Sequence, residues 1–464
     1  MLKLNKRRLY KAVAFIIFIG IVSCKGDDDA YVPLEIVTQA DSFMVSSLET
    51  ITISVLNNDT NVPEEGILSF NAASNGVVSK NDQGTPADVR DDSFTYDPDN
   101  DFDGVDTFQY TICNELGSGC KTETVTITVA IASPIRVDLV RFPYDTLSSY
   151  GFFSDNLSAF NPVFGLLPFE PITPLFTNYA KKARFVYVPE GSKATYNGDG
   201  NSLSFPVGSA LVKVFYYDNV LPENQRHIIE TRVMVKKSSG WEFAEYIWNE
   251  EQTEAFLDES GNGGFTQVEW IQDGEERFVN YRIPAQTQCI VCHTNDLVTI
   301  PLGIKPQNIN SNYAYESGTA NQLDKLIEEG FLEDALPSTI NTVVDWEDIN
   351  ESLLDRSRAY LDINCGNCHS AGGQADYRSL RLLYNDTDNN SDNLGICIDA
   401  DTEIPGFPGT KLFAPGDAAN SINLYRMEIV DSQFTMPQFG RNLSHDEGLQ
   451  LIEEWINSLN TTCD

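Results

Sequence analysis

The sequence predicts a multidomain chain with two β-rich regions in front and a mostly α region behind. Three observations lead there. Residues 50–55 and 122–129 alternate apolar and polar side chains, as strands with one buried face do. Residues 183–188, 210–217 and 231–236 are dense in aromatic and β-branched residues, with Pro189-Glu190-Gly191 and Phe205-Pro206-Val207-Gly208 as punctuation. From about residue 350 apolar side chains recur at helical spacing, in residues 351–364 and again after Ser444.

The chain has 464 residues, 68 of them acidic and 31 basic, for a net charge of −37. A surface this acidic repels phosphate backbones, which excludes nucleic acid as a partner. It suits a basic partner protein, and equally a protein that only has to stay soluble in salty water. Lys3, Lys6, Arg7, Arg8 and Lys11 precede an apolar run over residues 12–22, shorter than the ~20 residues a spanning helix needs. Residues 1–23 therefore read as an export signal. Its end, Ile21-Val22-Ser23-Cys24, resembles a bacterial lipobox, which implies cleavage before Cys24, acylation of that cysteine and attachment to a membrane. Residues 24–32 form an acidic tether. Within it, Lys25-Gly26-Asp27-Asp28-Asp29 resembles the signal that sends some Gram-negative lipoproteins to the cell surface. The expected location is the outer membrane, surface-exposed or otherwise on the periplasmic side.

Residues 33–132 read as one all-β module. Asn57-Asn58-Asp59-Thr60 supplies a turn, and Val125, Ile127 and Val129 share one strand face. Val55-Leu56-Asn57-Asn58-Asp59, Phe94-Thr95-Tyr96-Asp97-Pro98 and residues 102–110 together resemble the bacterial Ig-like or cadherin-like repeat, a β-sandwich. Asp97, Asp99, Asp101, Asp103 and Asp106 offer the oxygen ligands that calcium takes, although no loop here matches an EF-hand and a solvated acidic loop is the plainer reading. Residues 133–285 read as a second β-rich domain with a helix at 249–257. It carries no phosphate loop, nucleophile elbow or H-E-x-x-H pair.

The chemistry lies behind it. Cys289-Ile290-Val291-Cys292-His293 and Cys365-Gly366-Asn367-Cys368-His369 are two copies of C-x-x-C-H, the attachment pattern for c-type haem. Two cysteines three apart on one helical turn can each form a thioether to a haem vinyl group, and the next histidine then lies under the ring as an iron ligand. A zinc site built from both C-x-x-C pairs is the alternative, but zinc does not require a histidine after each pair. Two covalent haems, with Cys289, Cys292, Cys365 and Cys368 as anchors and His293 and His369 as ligands, are the expected cofactors. Export sets the remaining cysteine chemistry. Cys113 and Cys120 bracket a turn-like stretch and are expected to close a hairpin; Cys397 with Cys463 is left by elimination.

The second motif, in residues 350–464, has a helix before it and Met436-Pro437-Gln438-Phe439-Gly440 after it. A capping box at Ser444-His445-Asp446-Glu447 then opens a helix with Leu449, Ile452, Trp455, Ile456 and Leu459 on one period. This frame resembles a class I cytochrome c domain, which implies His369 as proximal and Met436 as distal ligand. A soft thioether suits haem iron; Met427 is the methionine expected to fill core space instead. The first motif, in residues 286–349, is less complete, because no Met or further His occurs between His293 and Asn364. Its second ligand would be Lys305 or Lys325, or come from His227, Met234, Met427 or His445, with His227 and Met234 preferred; or the iron is five-coordinate.

Residues 147–152, Pro174-Leu175-Phe176, residues 205–208, Glu230-Thr231-Arg232 and Tyr246-Ile247-Trp248-Asn249, with Ile283-Pro284 and Asn364 before the two motifs, resemble a family of exported di-haem c-type cytochromes over residues 140–464. The resemblance implies haem binding and electron transfer, and a relay between redox proteins outside the cytoplasm is the expected function. A di-haem peroxidase with an open first haem is the alternative. A surface adhesion or scaffold protein would follow only if covalent haem were absent.

Overall fold

The computed structural model describes residues 35–47, 49–99, 102–130, 133–154, 156–430 and 432–463. The export signal, Cys24, the tether and Asp101 lie outside the described residues. The chain divides into two compact units, one of residues 1–41, 52–96 and 107–126, the other of residues 42–51, 97–106 and 127–464.

Among the described residues seven strands arise in the front region: β1 (Asp41–Ser46), β2 (Ile51–Ile53), β3 (Ile67–Phe70), β4 (Gly76–Asn81), β5 (Ser93–Pro98), β6 (Gly104–Cys113) and β7 (Lys121–Ala130). They form a four-stranded sheet, β1-β7-β6-β3, and a three-stranded sheet, β2-β5-β4, in the manner of an Ig-like sandwich. The alternation expected of β7 holds, since Val125, Ile127 and Val129 are buried. The Asn57–Thr60 turn is pinned to β6, where the Tyr110 hydroxyl donates to Asp59 Oδ2 at 2.8 Å. Cys113 and Cys120 are disulfide-bonded across the β6–β7 turn, as expected.

The middle region is one eight-stranded antiparallel sheet, built from β8 (Leu167–Pro168), β9 (Lys181–Tyr187), β10 (Ala210–Val220), β11 (Gln225–Lys237), β12 (Gly240–Trp248), β13 (Ala255–Leu257), β14 (Gly264–Gln272) and β15 (Glu275–Ile283). Stretches quoted above meet in its core. Tyr150 and Tyr246 join hydroxyls at 2.7 Å, and Trp248 Nε1 donates to Thr231 Oγ1 at 3.0 Å. The helix expected at 249–257 does not form. Asn249 Oδ1 accepts from the backbone N–H groups of Thr253 and Glu254, Gln252 takes φ +57°, and the chain returns as β13 against β12. A short polar side chain that captures nearby backbone N–H groups favours a turn over a helix.

Among the described residues seven α-helices follow: α1 (Gln286–His293), α2 (Pro306–Ile309), α3 (Gln322–Glu328), α4 (Leu353–Leu361), α5 (Ser391–Leu394), α6 (Ile422–Glu428) and α7 (Asp446–Ser458). Two short β-hairpins accompany α1 to α3, and turns and loops occupy much of residues 367–445. The rear region is therefore less helical than "mostly α" implies. α7 buries Leu451, Ile452, Trp455 and Ile456, and Gly448 lets it press on Tyr360 of α4, whose hydroxyl a Cβ would strike. The expected capping box is not made. His445 is the N-cap and supplies no side-chain cap, while Ser444 Oγ bonds Asp446 Oδ1 at 3.2 Å. Its ring is engaged elsewhere, stacked on Phe176 at 4.1 Å and bonded through Nδ1 to the Tyr360 hydroxyl at 3.0 Å. Cys397 and Cys463 are disulfide-bonded, tying down the chain's end. No helix among the described residues is long and apolar enough to cross a membrane.

Candidate functional site

α1 carries the first motif and is tied to the sheet, because Gln286 Nε2 donates to the Phe243 carbonyl on β12 at 2.9 Å. The His293 ring meets Phe243 edge-on at 5.0 Å, and its Nδ1 lies 2.8 Å from the Ile300 carbonyl. A carbonyl only accepts, so Nδ1 carries the proton and Nε2 keeps its lone pair, the arrangement of a metal-ligating histidine. Burial holds the His293 pKa down at about 3, which keeps the ring neutral.

The second motif follows α4 through a wide turn at Asp362–Gly366. The buried Asp362 carboxylate accepts from the Tyr384 N–H at 3.0 Å and lies 3.5 Å from Lys305 Nζ. The His369 N–H donates to the Cys365 carbonyl at 3.0 Å, and the His369 carbonyl accepts from Leu382 N–H at 2.8 Å. Burial first, then Arg426, Arg378 and Arg381, lowers the His369 pKa to about 4. Its Nδ1 is buried without a hydrogen-bond partner.

The two motifs, 76 residues apart by their first cysteines in the sequence, meet in the fold. All four cysteines are free thiols; the Cys368 thiol donates to the Val291 carbonyl at 3.7 Å and lies beside Cys292. The two neighbouring thiols shift each other, Cys292 downward and Cys368 upward, while burial pushes Cys289 up to about 11 and Cys365 up to about 12. Two cavities share Cys292, Cys365 and Cys368 as a common wall. One, of about 190 Å³, opens on His293; the other, of about 590 Å³, opens on His369.

Met436 lines both cavities. Its loop is held by Arg441, whose Nη2 donates to the carbonyls of Met436 (2.8 Å), Ile429 (2.9 Å) and Arg426 (3.0 Å). Met427 is buried in the α4–α7 core and also borders both cavities. Of the other candidates for the first motif, Met234 and His445 line its cavity and His227 does not. Burial lowers the His445 pKa to about 4. Lys305 and Lys325 border neither cavity and are engaged with Asp362 and with Glu328 and Glu329. Among the described residues no group of three or more His, Cys, Asp or Glu could hold a metal ion, so the four thiols do not converge as a tetrahedral zinc site requires.

The donor set suits haem. Each motif presents paired thiols beside a neutral histidine, and a thioether stands in the wall. The larger cavity falls within the ~300–1,000 Å³ typical of cofactor sites. The smaller falls below it, so the first motif is the tighter of the two.

A row of charges that the sequence reading missed crosses the sheet behind His293. Arg184 on β9, Lys213 on β10, Arg232 on β11 and Glu245 on β12 are direct cross-strand partners. Glu230 is fully buried and takes Arg232 in a two-pronged pair at 2.6 and 2.9 Å, with the Tyr281 hydroxyl donating at 2.7 Å. Burial, then Glu230, pushes the neighbouring Glu245 up to about 10. An acid with a raised folded-state pKa stabilises the fold fully below its ordinary value of 4.5 and loses that contribution as pH rises towards 10. Glu245→Gln should therefore melt progressively higher than the wild type as pH climbs, the gap widening by roughly 5 °C between pH 5 and pH 9. Thermal melts showing a constant gap would refute this. The signal available in the sequence was Lys213 standing alone in the otherwise apolar run of residues 210–217.

No curated protein matches the chain. The solved structures that match do so at a low level. A titin tandem of Ig domains has 8% identity and covers 45% of this chain and 92% of its own, with a TM-score of 0.13. The EC1-4 fragment of PcdhgB3 has 6% identity and covers 54% and 76%, with a TM-score of 0.16. Superpositions this poor carry no argument. The family comparison does: residues 35–131 match the bacterial cadherin-like domain, and with the sandwich strands described above they form a domain of that kind.

Proposed function

We propose that the protein is a di-haem c-type cytochrome, lipid-anchored through Cys24 outside the cytoplasm, that relays electrons between redox proteins. The observation that carries this reading is the meeting of the two motifs. His293 and His369 open on separate cavities, while Cys292 and Cys368 touch in the wall between them. Covalent haem at each motif supplies one-electron exchange at its iron. The chain's own residues supply the rest. Cys289 and Cys292 would anchor one group and Cys365 and Cys368 the other, with His293 and His369 as neutral proximal ligands. Arg441 fixes the loop that brings the Met436 thioether to the second site. The cadherin-like domain acts as a spacer above the membrane, and the acidic surface suits a basic redox partner.

A pyridine haemochrome spectrum of the exported protein tests the reading, with two haems per chain expected and none overturning it. Met436→Ala should abolish the sulfur–iron charge-transfer band of the oxidised protein. If the band survives, Met436 is not the ligand. Peroxide turnover by the purified protein would replace the relay with the peroxidase alternative.

A further inference from the structure

The charged row across the sheet is unbalanced on one side. Arg232 is paired with Glu230, but among the described residues Arg184 and Lys213 have no ion-pair partner. Arg184 feels Glu170, and Lys213 feels Glu230, only as more distant charges. Three cations thus stand side by side on adjacent strands, where like charges directly opposite one another are destabilising. Arg184 is 8% exposed. Lys213 lies over the Phe215 ring at 4.9 Å, and Arg232 over the same ring at 4.4 Å. All three line the cavity that opens on His293. Burying cations without partners is costly, and burial pushes the Lys213 pKa well below its ordinary value, in a chain whose net charge of −37 leaves acidic residues plentiful. None has been placed against Arg184 or Lys213.

We propose that Arg184 and Lys213, backed by the Arg232–Glu230 pair, form a carboxylate seat in the wall of the first cavity. Two sources share that chemistry. The carboxylate belongs to the propionates of a haem held at Cys289 and Cys292, or to a free small organic acid that enters the cavity. The propionate form rests on the proposed haem; the free-acid form does not. Arg's planar fork and Lys's compact charge together suit a carboxylate at the end of a flexible chain.

Haem content is measured first, so that failure of the haem reading is seen separately. The full exported protein is then titrated calorimetrically with sodium succinate at low ionic strength, with sodium chloride as control. Wild type is compared with R184M, K213M and K213R, and circular dichroism verifies folding. K213Q replaces K213M if methionine is not tolerated. If the seat is filled by haem, the loaded wild type ignores succinate, and the propionate-bending band in resonance Raman shifts in R184M and K213M but not in K213R. If the seat takes a free acid, wild type binds succinate and both charge-removing variants bind at least tenfold more weakly, a loss of about 1.4 kcal/mol. A Raman band and a succinate affinity that are the same in every folded variant overturn the proposal. In a haem-free protein the titration alone decides, and no binding by wild type overturns it.

Discussion

Replacing Cys365 and Cys368 together by serine is expected to halve the covalent haem of the exported protein, from two groups per chain to one. Serine keeps the size and polarity of the position but forms no thioether. The first motif is served by Cys289, Cys292 and His293, all on α1, and keeps its own anchors. The reciprocal change of Cys289 and Cys292 should leave the second group in place. Because Cys365 packs against the core of Trp346, Tyr360 and Trp455, losing the group there should also lower the melting temperature more than the reciprocal change does. Haemochrome stoichiometry with intact-mass measurement reads both outcomes. Two haems retained in the C365S/C368S protein would remove the second motif from the site.

Glu230→Leu is expected to destabilise the middle sheet by about 3–5 kcal/mol. Glu230 is fully buried, and its carboxylate is held low by Arg232, Glu245 and Tyr281 against the opposing effect of burial. Its removal leaves the Arg232 guanidinium without its two-pronged partner, with only the Glu245 carboxyl 3.6 Å away. Removing both partners, as Glu230→Leu with Arg232→Met, should recover much of the loss, because the cost lies in the stranded charge and not in the missing bond. Chemical denaturation of the single and double variants measures it. A double variant as unstable as the single would show that shape, not charge, dominates there.

The front domain was the most legible part. Alternation over residues 122–129 assigned the buried face of β7 without any tertiary information, since a strand buries every second residue. Both disulfides were legible too, one from the turn between its cysteines and one by elimination. The misreadings have local causes. Residues 249–257 have helix-compatible composition, yet the Asn249 side chain captures two backbone N–H groups and β12 offers a neighbouring strand edge. Ser444-x-x-Glu447 has the pattern of a capping box, but His445 is drawn into an aromatic cluster with Phe176, Trp346 and Tyr360, and the cap is forgone.

By itself the sequence determined the local chemistry: paired cysteines with an adjoining histidine, twice, a methionine in a loop beyond the second pair, and the strand faces of the front domain. These depend on spacing along the chain, which covalent geometry converts directly into proximity. Only the tertiary structure decided that Cys292 meets Cys368, that Met234 rather than His227 reaches the first cavity, and that Arg184, Lys213 and Arg232 stand in one row. Those relations depend on strand register and on the docking of α1 beside Cys368. Register and docking are set by the packing of whole faces, which no short stretch of sequence encodes.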